Sequence, residues 1–144
     1  MICEVENLRT LDCRLLQSKN YEVFFAKAKD IPNILHEIGR LREITFREVG
    51  EGTNESIDLD KYDQYYRHLF LWDDETNKIA GAYRMGLGCE IYPKYGMDGF
   101  YLNGLFRFEP ELHEMLHKSI EMGRAFIIKE YQQKPMPLFL LWRG

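Results

Sequence analysis

At 144 residues, 45% of them hydrophobic, the chain is long enough for one real core and too short for two. A formal net charge of −4 offers no basic surface for nucleic acid. The three cysteines, Cys3, Cys13 and Cys89, are far apart and form no Cys-x-x-Cys, which argues against structural zinc and for a reducing compartment. There is no signal-peptide pattern and no apolar run of membrane-spanning length. The expected location is the cytoplasm, with peripheral contact at the inner membrane face left open.

Taken in order, Glu4 to Asp12 suits a short amphipathic helix. Cys13 to Leu16 and Tyr21 to Ala28 read as strands around a Ser18-Lys19-Asn20 turn. Asp30 is the expected cap of a helix with Pro32 in its first turn, running to about Gly50. Glu51 to Asp58 is a loop, and Asp60 to Tyr66 a helical turn. His68 to Trp72 is apolar on successive residues, as in a strand covered on both faces, and Lys78 to Leu87 is its hairpin partner. Alternation along that partner places Arg84 on one face with Ala80 and Ala82. Gly88 to Gly99 reads as irregular, and Phe100 to Phe108 as a further strand. Pro110 opens a helix to about Lys118, and Ser119 to Ile128 is a strand with Gly123 inside it. A bulge at Gly123 would bring Glu121 and Arg124 to one side. The chain closes on Leu138-Phe139-Leu140-Leu141-Trp142, too apolar for an ordinary frayed end, so a single domain that lacks its C-terminal part is expected.

One arginine breaks the pattern. Ile31, Ile34, Leu35, Ile38, Leu41, Thr45 and Val49 form a stripe at helical spacing, and Arg42 and Phe46 fall inside it. A guanidinium aimed at a core needs a carboxylate or a ligand. Asp60, Asp63 and Glu121 are candidate partners, and Arg84 and Arg124 are two more arginines on apolar strands. These groups either pair among themselves or line a ligand cleft.

A second motif points elsewhere. His113-Glu114-Met115-Leu116-His117 fits H-E-x-x-H, with His113 and His117 as two metal ligands on one helix face. The apolar stripe of that helix runs through Leu112, Met115, Leu116 and Ser119, which leaves both histidines toward solvent. A zinc peptidase is therefore carried as the weaker alternative, with no metal as the main expectation.

Three stretches, IPNILHEIGRLREITFREVGEGT, HLFLWDDETNKIAGAYRMGLG and SIEMGRAFIIKEYQ followed by PLFLLWRG, occur in the order found in the GNAT superfamily. The chain resembles in particular the N-acyltransferases that make glycine and ornithine lipids, some of them labelled hemolysins, and is distantly similar to acyl-homoserine lactone synthases. The resemblance covers most of the chain after about Leu15. It implies an α/β (α+β) fold with a mixed, mostly antiparallel central sheet flanked by helices, ending here after the fourth core strand. It also implies a cleft for an amine acceptor lined by Arg42, Phe46, Asp60, Asp63, Arg84, Glu121 and Arg124. Lys129 to Lys134 lacks the glycine-rich pyrophosphate loop of acetyl-CoA-using relatives. That favours an acyl carrier protein over acyl-CoA as donor, with no resident cofactor.

The expected activity is transfer of a fatty acyl or 3-hydroxyacyl group to the amine of a small amino acid in aminolipid synthesis. Such chemistry needs a neutral amine, a positioned thioester and a stabilised oxyanion. Glu121 is the expected base, with Arg84 and Arg124 expected to hold the acceptor's carboxylate. The carboxylates Asp60, Asp63 and Glu121 suit its ammonium, and a backbone N–H near Ala125 or Phe126 suits the oxyanion. A non-catalytic remnant that binds acyl carriers or lipid is the other reading.

Overall fold

The computed structural model describes residues 1–144. Five strands form one antiparallel sheet in chain order: β1 (Arg14–Ser18), β2 (Tyr21–Lys27), β3 (Arg67–Asp73), β4 (Lys78–Leu87) and β5 (Ile120–Ile127). Helices α1 (Ile2–Thr10) and α2 (Pro32–Glu48) cover one face. The short α5 (Lys129–Gln132) and α6 (Pro135–Arg143) cover the other. Between β4 and β5 the chain forms α3 (Gly88–Tyr95) and α4 (His113–His117), joined by 3-10 turns. The sheet agrees with the mostly antiparallel one expected.

Apolar periodicity explains the layering. Ile34, Leu35 and Ile38 of α2 pack with Phe24, Phe70, Trp72 and Ala82 under one face. Val23, Leu69 and Leu71 alternate with these residues and meet Leu140 and Leu141 of α6 on the other. The C-terminal apolar run is thus half used, because Leu138, Phe139 and Trp142 remain exposed. A third, smaller core joins Tyr66, Ile91, Phe100 and Leu116 at the end of the sheet where α3 and α4 lie.

Several sequence expectations are corrected. Asp30 does not cap α2. It lies in the 3-10 turn Ala28–Asp30, and the Glu4 carboxylate of α1 accepts the Asn33 and Ile34 amides at 2.8 and 2.9 Å instead. An acid from another helix thus supplies the charge that the positive end of α2 attracts. Ala80 does not share a face with Ala82 and Arg84. Leu71 pairs with Gly81 and Trp72 with Ile79, so Ala80 is the extra residue of a bulge and turns toward α6. Gly88 to Tyr95 is helical despite Pro93. Phe100 to Phe108 is no strand. It folds as turns with Phe100 buried while Leu105 and Phe106 stay exposed.

The junction of β4 and α3 is tight. Gly88 N–H donates to Ser119 carbonyl at 2.9 Å, and a Cβ at Gly88 would fall on the carbonyl oxygens of Leu116 and His117. Only glycine fits there without moving α4.

Candidate functional site

Three arginines and four carboxyl groups meet on the α2 side of β4 and β5. Arg42 comes from α2, Asp60 and Asp63 from the 3-10 turn Lys61–Gln64 and its cap, Arg84 from β4, and Glu121 and Arg124 from β5. Asp58 enters from the loop before that turn. With every group ionised the set carries one negative charge in excess.

Asp63 is the hub. It is fully buried, and it accepts from Arg42 Nη1 and Nη2 at 3.1 Å and from Arg84 Nη1 at 3.1 Å. It also takes the Asp60 amide at 2.8 Å, while Asp60 accepts from Tyr62 N–H, so the two aspartates build a capping box. Burial pushes the Asp63 carboxyl up, but Arg42 and Arg84 together outweigh it and hold it below the usual carboxylate range. Arg42 and Asp63, 1% and 0% exposed, lie beneath the cavity and do not line it. Phe46 packs against the α2-side core and does not line it either.

Above them a cavity of about 230 Å³ is lined by Tyr66, Arg84, Tyr101, Leu102, Glu121, Met122, Gly123 and Arg124. Arg84 binds Asp60 at 2.7 Å, and its guanidinium lies 5.3 to 5.6 Å from the rings of Tyr62, Tyr66 and Tyr101. Burial lowers its basicity, but Asp60 and Asp63 raise it further, so it stays charged. Its Nε has no partner. A rigid, charged, incompletely bonded guanidinium at a cavity wall suits a carboxylate ligand.

Glu121 and Arg124 reach the same cavity by a bulge. Ala82 pairs with Phe126 and Arg84 with Gly123, so Arg124 and Ala125 together oppose the single Tyr83. The strained residue is Arg124, with φ of 52°, one place after the glycine that the sequence suggested. Arg124 Nη1 lies 3.3 Å from Asp58 Oδ2, within ion-pair reach but not aligned as a hydrogen bond. Burial raises the Asp58 carboxyl, and Arg124 and Arg42 offset this only in part.

Glu121 accepts from Tyr66 Oη–H at 2.9 Å. Burial pushes its carboxyl above the ordinary glutamate value, and the Tyr66 hydrogen bond pulls it back only partly. A carboxylate raised in this way is a better proton acceptor near neutral pH. Glu121 pairs with Gly86, where a Cβ would strike the Tyr66 ring, so glycine there lets Tyr66 lie against the strand pair.

The sequence reading missed Tyr66, Tyr101, Asp58 and His68. Tyr66 lies edge-to-face with Tyr62 and Tyr65, at 5.7 and 5.3 Å between ring centroids, and by sequence is one aromatic of a packed cluster. His68 is fully buried with Nε2 2.9 Å from the Asp63 carbonyl, and burial lowers its pKa. Its position as an inward residue of β3 opposite Arg84 was the available signal. His113 and His117 both pack near the Tyr92 ring, at 6.5 and 5.5 Å between centroids, and no three His, Cys, Asp or Glu side chains converge as metal ligands.

Residues 41–142 match the family described as Acetyltransferase (GNAT) domain. The chain is 38% identical over 124 residues to a glycine N(alpha)-acyltransferase of Phocaeicola vulgatus, covering 83% of this chain and 38% of that protein. It is 36% identical over 124 residues to a glycine N(alpha)-acyltransferase of Bacteroides thetaiotaomicron, covering 83% of this chain and 37% of that protein. The chain therefore spans well under half the length of these curated relatives. No solved structure gives a significant match. Fold, sheet order and both likenesses lead to one conclusion: the chain belongs to the GNAT acyltransferase family.

Proposed function

We propose that this chain carries the acceptor side of an N-acyltransferase that moves a fatty acyl group from a carrier-bound thioester to the amine of a small amino acid, glycine being the first candidate. The observation that carries this reading is the cavity where Glu121 stands beside Arg84 and Arg124. A zwitterionic acceptor fits it, with its carboxylate toward the arginines and its ammonium toward Glu121. Glu121 takes one proton from the ammonium, and the freed amine nitrogen attacks the thioester carbonyl. That attack forms the C–N bond; the tetrahedral oxyanion then collapses, re-forming C=O and breaking C–S, and the departing thiolate takes up the second amine proton. The bulge at Arg124 and Ala125 suits backbone donation to the oxyanion. Ala125 of that bulge also lines an apolar cavity of about 160 Å³ with Tyr83, Phe126, Ile127 and Leu138, which suits part of the acyl arm.

An acyl carrier protein as donor and a place in aminolipid synthesis belong to the same proposal, as does work at the inner membrane face. No helix is long and apolar enough to cross a membrane. The test is mass spectrometry of N-acyl amino acids after incubation with acyl-loaded carrier protein and glycine, with acyl-CoA as the parallel donor. Glu121→Ala should lower product formation by about 100-fold or more. Unchanged turnover would remove Glu121 as base and leave a binding role.

A further inference from the structure

Tyr66 is 2% exposed, and its hydroxyl is ringed by three polar groups. The Glu121 Oε2 lies at 2.9 Å and the Gly99 carbonyl oxygen at 3.3 Å, both able to accept its hydrogen, and the Tyr101 amide donates to it at 2.9 Å. A phenol has one hydrogen to give and two lone pairs to receive. We propose that Tyr66 is a positioning residue for Glu121: its hydroxyl holds Oε2, fixes the carboxylate against the strand pair and leaves Oε1 as the oxygen that meets the acceptor amine. This rests on Glu121 acting as the base.

The same bond serves after proton transfer. When Oε1 holds the amine proton, Tyr66 Oη–H still donates to Oε2, now the carbonyl oxygen of the acid. The carboxyl is bonded in both protonation states, and Tyr66 never loses its proton, in keeping with a phenol pushed well above its ordinary pKa by burial. The other charged or titratable groups facing this pair are Arg84 from β4, Arg124 from β5, and Tyr65 and Tyr101 from the surrounding turns. Arg84 is engaged by Asp60 and Asp63, which leaves Tyr66 as the side chain hydrogen-bonded to Glu121.

Carboxyl-carbon NMR titration of Glu121 in the unaltered protein and in Tyr66→Phe tests this. Removing the hydroxyl should raise the Glu121 midpoint by roughly 1 unit, since a hydrogen bond to a charged group is worth about tenfold in that equilibrium. The acid limb of kcat/KM should move up by the same amount, which lost packing alone would not cause. An unmoved midpoint overturns the proposal. Should Tyr66→Phe fail to fold, the Tyr66 ring Cζ shift of the unaltered protein decides: it should titrate in step with Glu121, and a flat trace overturns the pairing. Both NMR readouts stand without turnover. A protein that transfers no acyl group but keeps the linked titrations sinks the acyltransferase reading and leaves the Tyr66–Glu121 pairing standing.

Discussion

Glu22 and Asp63 are both carboxylates sealed from water beside the same sheet, and their surroundings differ in kind. Glu22 is held by Arg9 and Arg14, each partly in solvent, and Arg9 reaches on to Glu6 and Asp74. That cluster is complete and open to water. The Asp63 cluster is closed: Arg42 and Arg84 are as buried as the acid between them. The four buried side-chain polar atoms without a hydrogen-bond partner are Arg42 Nε, Asp58 Oδ2, His68 Nδ1 and Arg84 Nε. All belong to this one region. A cluster that only staples the fold spends its hydrogen-bonding capacity, whereas one beside a ligand cavity keeps some in reserve.

The sharpest way to break this contrast is to delete each hub. Asp63→Ala leaves the buried Arg42 guanidinium without a carboxylate and Arg84 with Asp60 alone, and should cost about 3–5 kcal/mol in urea unfolding. Glu22→Ala leaves Arg9 and Arg14 free to turn to water and should cost about 1–2 kcal/mol. Equal losses would mean that the two clusters serve the same end.

Acid should separate the regions next. The buried His68 imidazole resists a proton that the unfolded chain accepts below about pH 6.5, so stability should fall as pH drops from there. His68→Gln should flatten that slope in pH-dependent thermal melts. Asp63 acts lower: its depressed pKa lends stability above about pH 4 that is lost on further acidification through its folded value.

Glu121 has the opposite sign. Its raised pKa means that the folded protein keeps a proton the unfolded chain has lost, so its contribution falls as pH rises from about 4.3 through the raised value. Glu121→Gln should therefore stabilise the protein at neutral pH by about 0.5–1 kcal/mol while abolishing acyl transfer. A loss of stability would make Glu121 a structural acid. The smallest effect on stability is expected for Arg124→Gly, which relieves the left-handed backbone but removes the ion pair with Asp58. Chemical denaturation should show a net change within about 1 kcal/mol, and acceptor KM should rise.

Much of this was legible in the sequence where a period carried it. The α2 stripe and the β4 limits are plain from apolar spacing, except that Val49 falls beyond α2 and is exposed, and Arg42 inside the stripe announced a buried partner. Asp63, Arg84, Glu121 and Arg124 were identified through the family's spacing, and the structure brings them together. What stayed hidden depends on contacts across the fold. Nothing near Pro32 says that Glu4 will cap α2, because the two acquire each other only when α1 packs. Ala80 left its alternating face at a bulge that its own small side chain does not mark. Tyr66 looked like one aromatic among several, and only its hydroxyl's placement near Glu121 sets it apart. Phe100 to Phe108 has the composition of a strand but folds as turns, with Phe100 buried against Ile91 and Leu116.

Gly88 gives the architecture an unexpected lever. Its amide is tied to Ser119, two residues before Glu121, and there is no room above it for even a methyl group. Alanine at that point would act as a wedge, prying α4 off the sheet and tilting the opening of β5 with the Glu121 carboxylate. The alignment of Glu121 is thus set, from outside the cavity, by the one kind of residue that brings nothing but empty space.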